Sequence, residues 1–273
     1  MLLLTKTIIA LMAGFLVSTF LGFLIVPLLK ELRLGQKISS YVGTTHKKKE
    51  GTPTMGGLIF ILGSLLTIAY LIFAKKIDYT ANLGIVLLVF IGYAIIGFID
   101  DILSVKKGNN EGLTIYQKLF MQVIIAIGFF FIYMRSGGQT SLAVATLGID
   151  IEMKWLYGIF ILFVLVGSSN SVNLTDGLDG LAGGLSAIAF IAFSLISLTV
   201  GFEEIGIFLM VLAGSLLGFL IFNHNPAKVF MGDTGSMALG GAISTICILN
   251  GMIFYLPIIG GIYVIEALSV IIQ

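Results

Sequence analysis

The stretch "TKTIIALMAGFLVSTFLGFLIVPLL", residues 5–29, contains one charge, Lys6, in an otherwise apolar run. A helix that crosses the hydrocarbon core needs about 20 such residues. The run does not alternate apolar and polar with period two, as a barrel strand would. It also lacks a basic start followed by a small-residue cleavage site, so it reads as a retained first span and not as a cleaved leader.

The rest of the chain repeats this pattern. Of 273 residues, 58% are hydrophobic and 11% charged, against roughly 25% charged in a soluble domain. The expected fold class is therefore all-α, a polytopic helical membrane protein. Nine spans are expected, at about 5–29, 54–74, 82–100, 118–135, 155–173, 181–200, 205–222, 236–253 and 256–273. Residues 136–154, "SGGQTSLAVATLGIDIEMK", alternate along "TLGIDIEMK" and read as a short hairpin or surface loop. The lone Cys247 lies in an apolar run, which excludes a disulfide framework and suits a small buried hydrophobe. A net charge of +1 offers no electrostatic basis for binding nucleic acid.

Lysine and arginine bias predicts orientation. One side carries Lys30, Arg33, Lys37, Lys47, Lys48, Lys49, Lys106, Lys107, Lys118 and Lys228; the other has Lys6, Lys75, Lys76, Arg135 and Lys154. The first side is expected in the cytoplasm and the N-terminus outside. Asp78 and Asp150 then fall outside, while Asp100, Asp101, Asp176, Asp179 and Asp233 converge on the cytoplasmic end from three separate segments. Acids at or near membrane depth are functional candidates by default.

"GFIDDILSVKK", 97–107, ends the third span with adjacent aspartates. Helical neighbours point about 100° apart, so Asp100 and Asp101 must serve different partners. An ordinary polar helix end would read the same way. "NSVNLTDGLDGLAGG", 170–184, places Asp176 and Asp179 three apart among glycines. It suggests a bent or broken helix that exposes backbone amides, which is tolerated at membrane depth where it lines a polar cavity. A plain Asx turn is the simpler alternative.

"FNHNPAKVFMGDTGS", 222–236, leads into the eighth span. Asp233 to Ser236 could cap that helix, or offer Asp233 to a metal and helix-terminal amides to a phosphate. Phe230 could stack on a planar group or anchor in the core, and His224 reads as a hydrogen-bonding residue. "HKKKEGTPTMGG", 46–57, joins a basic cluster to a turn. It could simply attract anionic lipid, and it is not a Walker loop. Together these parts suit phosphate chemistry. Aspartates would hold Mg²⁺, a hard cation that bridges to substrate phosphates, and lysines would neutralise the remaining charge.

At "GTPTMGG" (51–57), "GFIDD" (97–101), "NLTDGLDGLA" (173–182), "FN..PA.VFMGD.GS" (222–236) and "LPIIGGIYVIEALSVIIQ" (256–273) the chain resembles one family. It is the phospho-N-acetylmuramoyl-pentapeptide transferases, bacterial translocases that make the first lipid-linked peptidoglycan precursor, lipid I. The resemblance implies Mg²⁺-dependent transfer from a UDP carrier to undecaprenyl phosphate, releasing UMP, in the bacterial inner membrane. It implies Asp100 and Asp101 at the lipid phosphate, and Asp233 and Asp176 at the metal, with Asp233 also catalytic. It places Asp179, the backbone of Gly177 and Leu178, and a stacked Phe230 at the uracil, with Asn173 and Asn223 lining the nucleotide site. Lys49, Thr54 and Lys118 would lie along the substrate cleft.

Two features depart from the family. Ser104 stands where it commonly has lysine, so Lys106 or Lys107 is expected to substitute in charge. The family also continues past Gln273 into a histidine-run loop and a tenth span. Residues 1–273 are therefore expected to be one membrane transferase domain, a fragment or a truncated product. The expected partners are the UDP-linked muramoyl-pentapeptide, undecaprenyl phosphate and the bilayer, and a homodimer is open. The alternative functions are an N-acetylhexosamine-1-phosphate transferase of the same superfamily and, more remotely, a secondary transporter.

Overall fold

The computed structural model describes residues 3–32, 51–108, 112–144 and 148–272. Eight long helices form in chain order: α1 (Leu3–Glu31), α2 (Gly57–Phe73), α3 (Ala81–Lys107), α4 (Ile115–Arg135), α5 (Leu156–Thr175), α6 (Leu181–Val200), α7 (Glu203–Asn223) and α8 (Gly232–Leu249). A 3₁₀ turn, Ile253–Tyr255, leads into a short α9 (Leu256–Ile259) and then α10 (Gly261–Ile272). Between α4 and α5 lies an antiparallel hairpin, β1 (Ser141–Val144) with β2 (Ile149–Glu152), in register Ser141↔Glu152 to Val144↔Ile149. The hairpin lies within the predicted 136–154 segment.

Each expected span is helical, but the helices differ in their capacity to cross a membrane. Among the described residues six are long and apolar enough, namely α1, α3, α4, α5, α6 and α7. The ninth expected span is not one straight helix. It is broken at Gly260, where the chain bends by 73°, and counted together the two pieces make a seventh candidate. At 17 residues, α2 reaches only about 25 Å. The first turn of α8, Gly-Asp-Thr-Gly-Ser, is polar, and α8 is enclosed by its neighbours.

Burial follows side-chain size and polarity. From Ile205 to Leu216 every residue of α7 is buried, as expected for a helix that is apolar all round. Against it packs α1 through Thr7, Ala10, Gly14, Ser18, Gly22 and Val26. A Cβ on Gly14 would strike the Val211 carbonyl, and one on Gly214 the Leu11 carbonyl. Small residues let two backbones touch where no hydrophobic force separates protein from lipid. α4 buries only Gln122, Ala126, Phe129 and Tyr133 and leaves Phe120, Ile124, Ile127 and Phe131 exposed, a lipid-facing pattern.

Antiparallel succession brings the C-terminal ends of α3, α5 and α7 to the N-terminal ends of α4, α6 and α8. At the opposite end, Lys6 pairs with Glu203 at 2.8 Å and the Thr80 hydroxyl donates to Glu204 at 2.7 Å. A pocket of about 320 Å³ there gathers Lys6, Lys75, Lys76 and Asp78 with both glutamates. The sorting of these four residues away from the Asp100–Asp233 end is thus reproduced by the fold.

Candidate active site

The site is built around the first turn of α8. Its entry is held by backbone pairing with the segment before α2. Phe230 N donates to Pro53 O at 2.8 Å, Gly56 N to Phe230 O at 2.8 Å and Gly57 N to Met231 O at 2.9 Å. Asp233 then points into the space between α3, α4 and α5. The Lys118 ammonium from α4 donates to Asp233 Oδ2 at 2.7 Å and lies 3.2 Å from Asp100 Oδ1. The Asn173 amide from α5 donates to Asp233 Oδ1 at 2.7 Å and to Ser236 Oγ at 2.8 Å. Asp100 also accepts from Leu113 N at 2.8 Å, which ties the α3–α4 connection to the site.

Asp101, one residue on, faces elsewhere. It accepts from Asp233 N at 3.2 Å, from Thr234 N at 3.0 Å and from Thr234 Oγ1 at 2.6 Å. The two neighbouring aspartates therefore do serve different partners. Asp176 forms the C-cap of α5. Burial, and then the charges of Asp233 and Asp101, push its carboxyl well above the usual carboxylate range, although a hydrogen bond from the Gly232 amide pulls the other way. Uncompensated like charges at close range disfavour ionisation in this way.

The glycine-rich turn is also explicit. α5 ends at Thr175, Gly180 adopts φ +79°, and α6 begins at Leu181. Gly177 and Leu178 are exposed between them. Asn223 clamps this turn to the α7–α8 loop, accepting from Gly180 N at 3.0 Å and donating to Val229 O at 3.0 Å. Asp179 accepts from Ala227 N at 3.2 Å.

A family model for glycosyl transferase family 4 matches residues 83–251, and signature 1 of the phospho-N-acetylmuramoyl-pentapeptide-transferases matches residues 49–61. Proteins named phospho-N-acetylmuramoyl-pentapeptide-transferase match nearly the whole chain. One from Geobacillus thermodenitrificans is 46% identical, over 97% of this chain and 82% of its own length. One from Bacillus cytotoxicus is 48% identical, over 95% and 80%. One from Oceanobacillus iheyensis is 46% identical, over 99% and 83%. The chain belongs to the phospho-N-acetylmuramoyl-pentapeptide-transferase family.

Membership makes it a multi-pass membrane transferase. Of the residues singled out for this family, Asp100, Asp101, Lys118, Asn173, Asp176 and Asp233 meet around the α8 turn. Asp179, Gly177, Leu178, Asn223 and Phe230 sit on the adjoining turn and loop. Thr54 is 1% exposed and lies behind Gly232, away from open space. Lys49 lies outside the described residues. The cation beside the Asp100–Asp233 pair is Lys118. Lys107 instead donates to Gly112 O at 2.9 Å, so the expected substitution for the missing lysine at 104 is not made by Lys107. The reason is distance along the chain: α4 folds back onto α3 and delivers a lysine that no local spacing would reveal. His224 is exposed and bonds through Nδ1 to Leu220 O at 3.0 Å, a hydrogen-bonding role.

Sequence reasoning missed Thr234 and Ser236 as partners of Asp101 and Asn173. "DTGS" reads locally as a capping motif, and its acceptor comes from a helix more than a hundred residues away. Among the described residues no three His, Cys, Asp or Glu side chains are arranged to hold a metal by themselves.

Proposed function

We propose that this chain transfers phospho-N-acetylmuramoyl-pentapeptide from its UDP carrier to undecaprenyl phosphate, giving lipid I and UMP. The reaction would take place at the cytoplasmic face of a bacterial plasma membrane with Mg²⁺ as cofactor. The observation that carries this reading is the Asp100–Lys118–Asp233–Asn173 chain of contacts. It joins the helices of one polar centre at a single end of an apolar bundle.

The donor chemistry fits Mg²⁺. Asp233 and Asp176 offer hard carboxylate oxygens, and this ion is usually held by one or two carboxylates plus water and substrate phosphates. When bound, Mg²⁺ would neutralise charge on the pyrophosphate and on the departing UMP. Asp100, which contacts Leu113 N and Lys118, would place or deprotonate the lipid phosphate. Lys118 would hold phosphate charge near the reacting centre. The exposed backbone at Gly177 and Leu178, with Asp179 and Phe230, would take the uracil, and Asn173 and Asn223 would line the nucleotide site.

An apolar groove supports a polyprenyl acceptor. It has a volume of about 370 Å³ and is lined by Phe163, Gly167 and Val172 of α5 and by Pro257, Gly260 and Tyr263 of the bent C-terminal pair. Val172 is the residue before Asn173, so the groove runs towards the site end.

The reading is tested with the chain in detergent or nanodiscs, undecaprenyl phosphate, Mg²⁺ and a radiolabelled UDP-linked muramoyl-pentapeptide. Labelled lipid with one UMP released per product is expected. Product from UDP-N-acetylglucosamine and none from the muramoyl substrate would overturn it in favour of the N-acetylhexosamine-1-phosphate transferases.

A further inference from the structure

Helix α8 begins without a local cap. Its N-cap residue is Met231, which supplies no side-chain hydrogen bond. The first amides of any helix lack intrahelical acceptors and need a partner from elsewhere. For Asp233 and Thr234 that partner is the Asp101 carboxylate of α3, which accepts both amides and the Thr234 hydroxyl. Asp101 is only 3% exposed.

The approach is built for backbone contact. Gly232 has φ +74°, and a Cβ there would lie 2.5 Å from Asp101 Oδ2 and 2.6 Å from Thr54 Oγ1. A Cβ on Gly97, one turn before Asp101, would strike the Asp233 carbonyl. Glycine at both places lets α8 settle directly on the carboxylate. A negative charge at a helix N-terminus also complements the macrodipole. Asp100, about 100° round the same helix, instead faces the Lys118 ammonium.

We propose that Asp101 is a positioning residue that caps α8 from across the bundle and so sets the place of Asp233. The Asp233 main chain is held by Asp101, while its side chain is held by Asn173 and Lys118. Both Asp101 oxygens accept hydrogen bonds from the first turn of α8. The kinetic part of this proposal rests on the transferase reading; the structural part does not.

The test compares wild type, Asp101→Asn, Thr234→Val, Thr234→Ser and the Asp101→Asn/Thr234→Val double variant, all in the full chain. Hydrogen exchange of the segment 232–237 should accelerate in Asp101→Asn and in Thr234→Val. Losing one hydrogen bond to a charged group should lower transfer about tenfold in Thr234→Val, and Thr234→Ser should restore it. The double variant should be no worse than Asp101→Asn alone, because both remove the same contact. An inactive Asp101→Asn beside a Thr234→Val with wild-type transfer and exchange would overturn the proposal, since Asp101 would then act on substrate itself. If wild type transfers nothing from the UDP-linked substrate, the transferase reading fails and exchange alone decides. Faster exchange in both variants then supports the capping, and unchanged exchange overturns it.

Discussion

The Lys118 ammonium stands 2.7 Å from Asp233, a residue 115 positions later in the chain. It also lies 3.2 Å from Asp100, so one cation offsets the mutual repulsion of two neighbouring carboxylates. Removing this cation leaves two largely enclosed carboxylates without the Lys118 charge. Lys118→Met is expected to lower kcat for transfer by about 10²-fold or more, the scale for losing one preorganised charge at a reacting centre. Lys118→Arg should retain part of the activity. A Lys118→Met variant with wild-type turnover would remove Lys118 from the machinery.

Asp233→Ala takes away a carboxylate but leaves the α8 amide that Asp101 holds. Transfer should be lost while the melting temperature without metal changes little. Added Mg²⁺ should raise the melting temperature of wild type, because a ligand that binds only the folded state stabilises it. It should fail to do so in Asp233→Ala. The measurement is a thermal melt of detergent-solubilised protein with EDTA or with Mg²⁺.

The raised carboxyl of Asp176 predicts a direction with pH. A carboxyl whose folded pKa exceeds its unfolded one binds its proton more tightly in the folded state, so stability falls as pH rises. The loss begins near the ordinary carboxylate value of about 4 and is complete above the raised folded value. Without metal, Asp176→Asn should therefore melt higher than wild type at neutral pH. The difference should shrink as pH falls towards that ordinary value. A difference that grew on acidification would contradict the assigned cause, which is burial beside Asp233 and Asp101.

Gly167 faces open space in the apolar groove, with no neighbouring atom within 4 Å of where a Cβ would stand. Gly167→Leu should fill part of the groove without disturbing the bundle. The KM for undecaprenyl phosphate should rise several-fold, with the KM for the nucleotide substrate unchanged. A water-soluble short-chain acceptor should be less affected, and equal effects on both substrates would argue against the groove as the lipid's path.

Cys247 is wholly buried, so an engineered cysteine can report orientation alone. Tyr79→Cys lies at the Lys6–Glu203 end, and Lys107→Cys at the Asp100 end. A membrane-impermeant maleimide should label Tyr79→Cys in right-side-out membranes and Lys107→Cys only in inverted vesicles. The reverse pattern would place the site outside.

Much of this protein is legible along the chain. The 5–29 run, the strand at 149–152 and the glycine break at 176–180 each depend on a few neighbouring residues, and each forms close to its expected place. The span expected at 256–273 forms as two helical pieces that meet at 73°, because tandem glycines permit a bend that an apolar count does not register. The start of α8 also differs from expectation. A start at 236 is reasonable until Asp101 supplies the acceptor that lets the polar turn 232–236 join the helix.

The sequence by itself determined that this is a helical membrane protein with five of its seven aspartates expected at one end. Apolar run length is a local property, and successive crossings must alternate in direction. Only the tertiary structure decided what each acid touches. It set Lys118 against Asp100 and Asp233, and turned Asp101 to the start of α8. Those assignments depend on contacts such as Asp101 with Thr234, 133 residues apart, and on glycines that let two helices meet at backbone distance. Separations of that kind carry no signal in spacing, because packing alone brings the partners together.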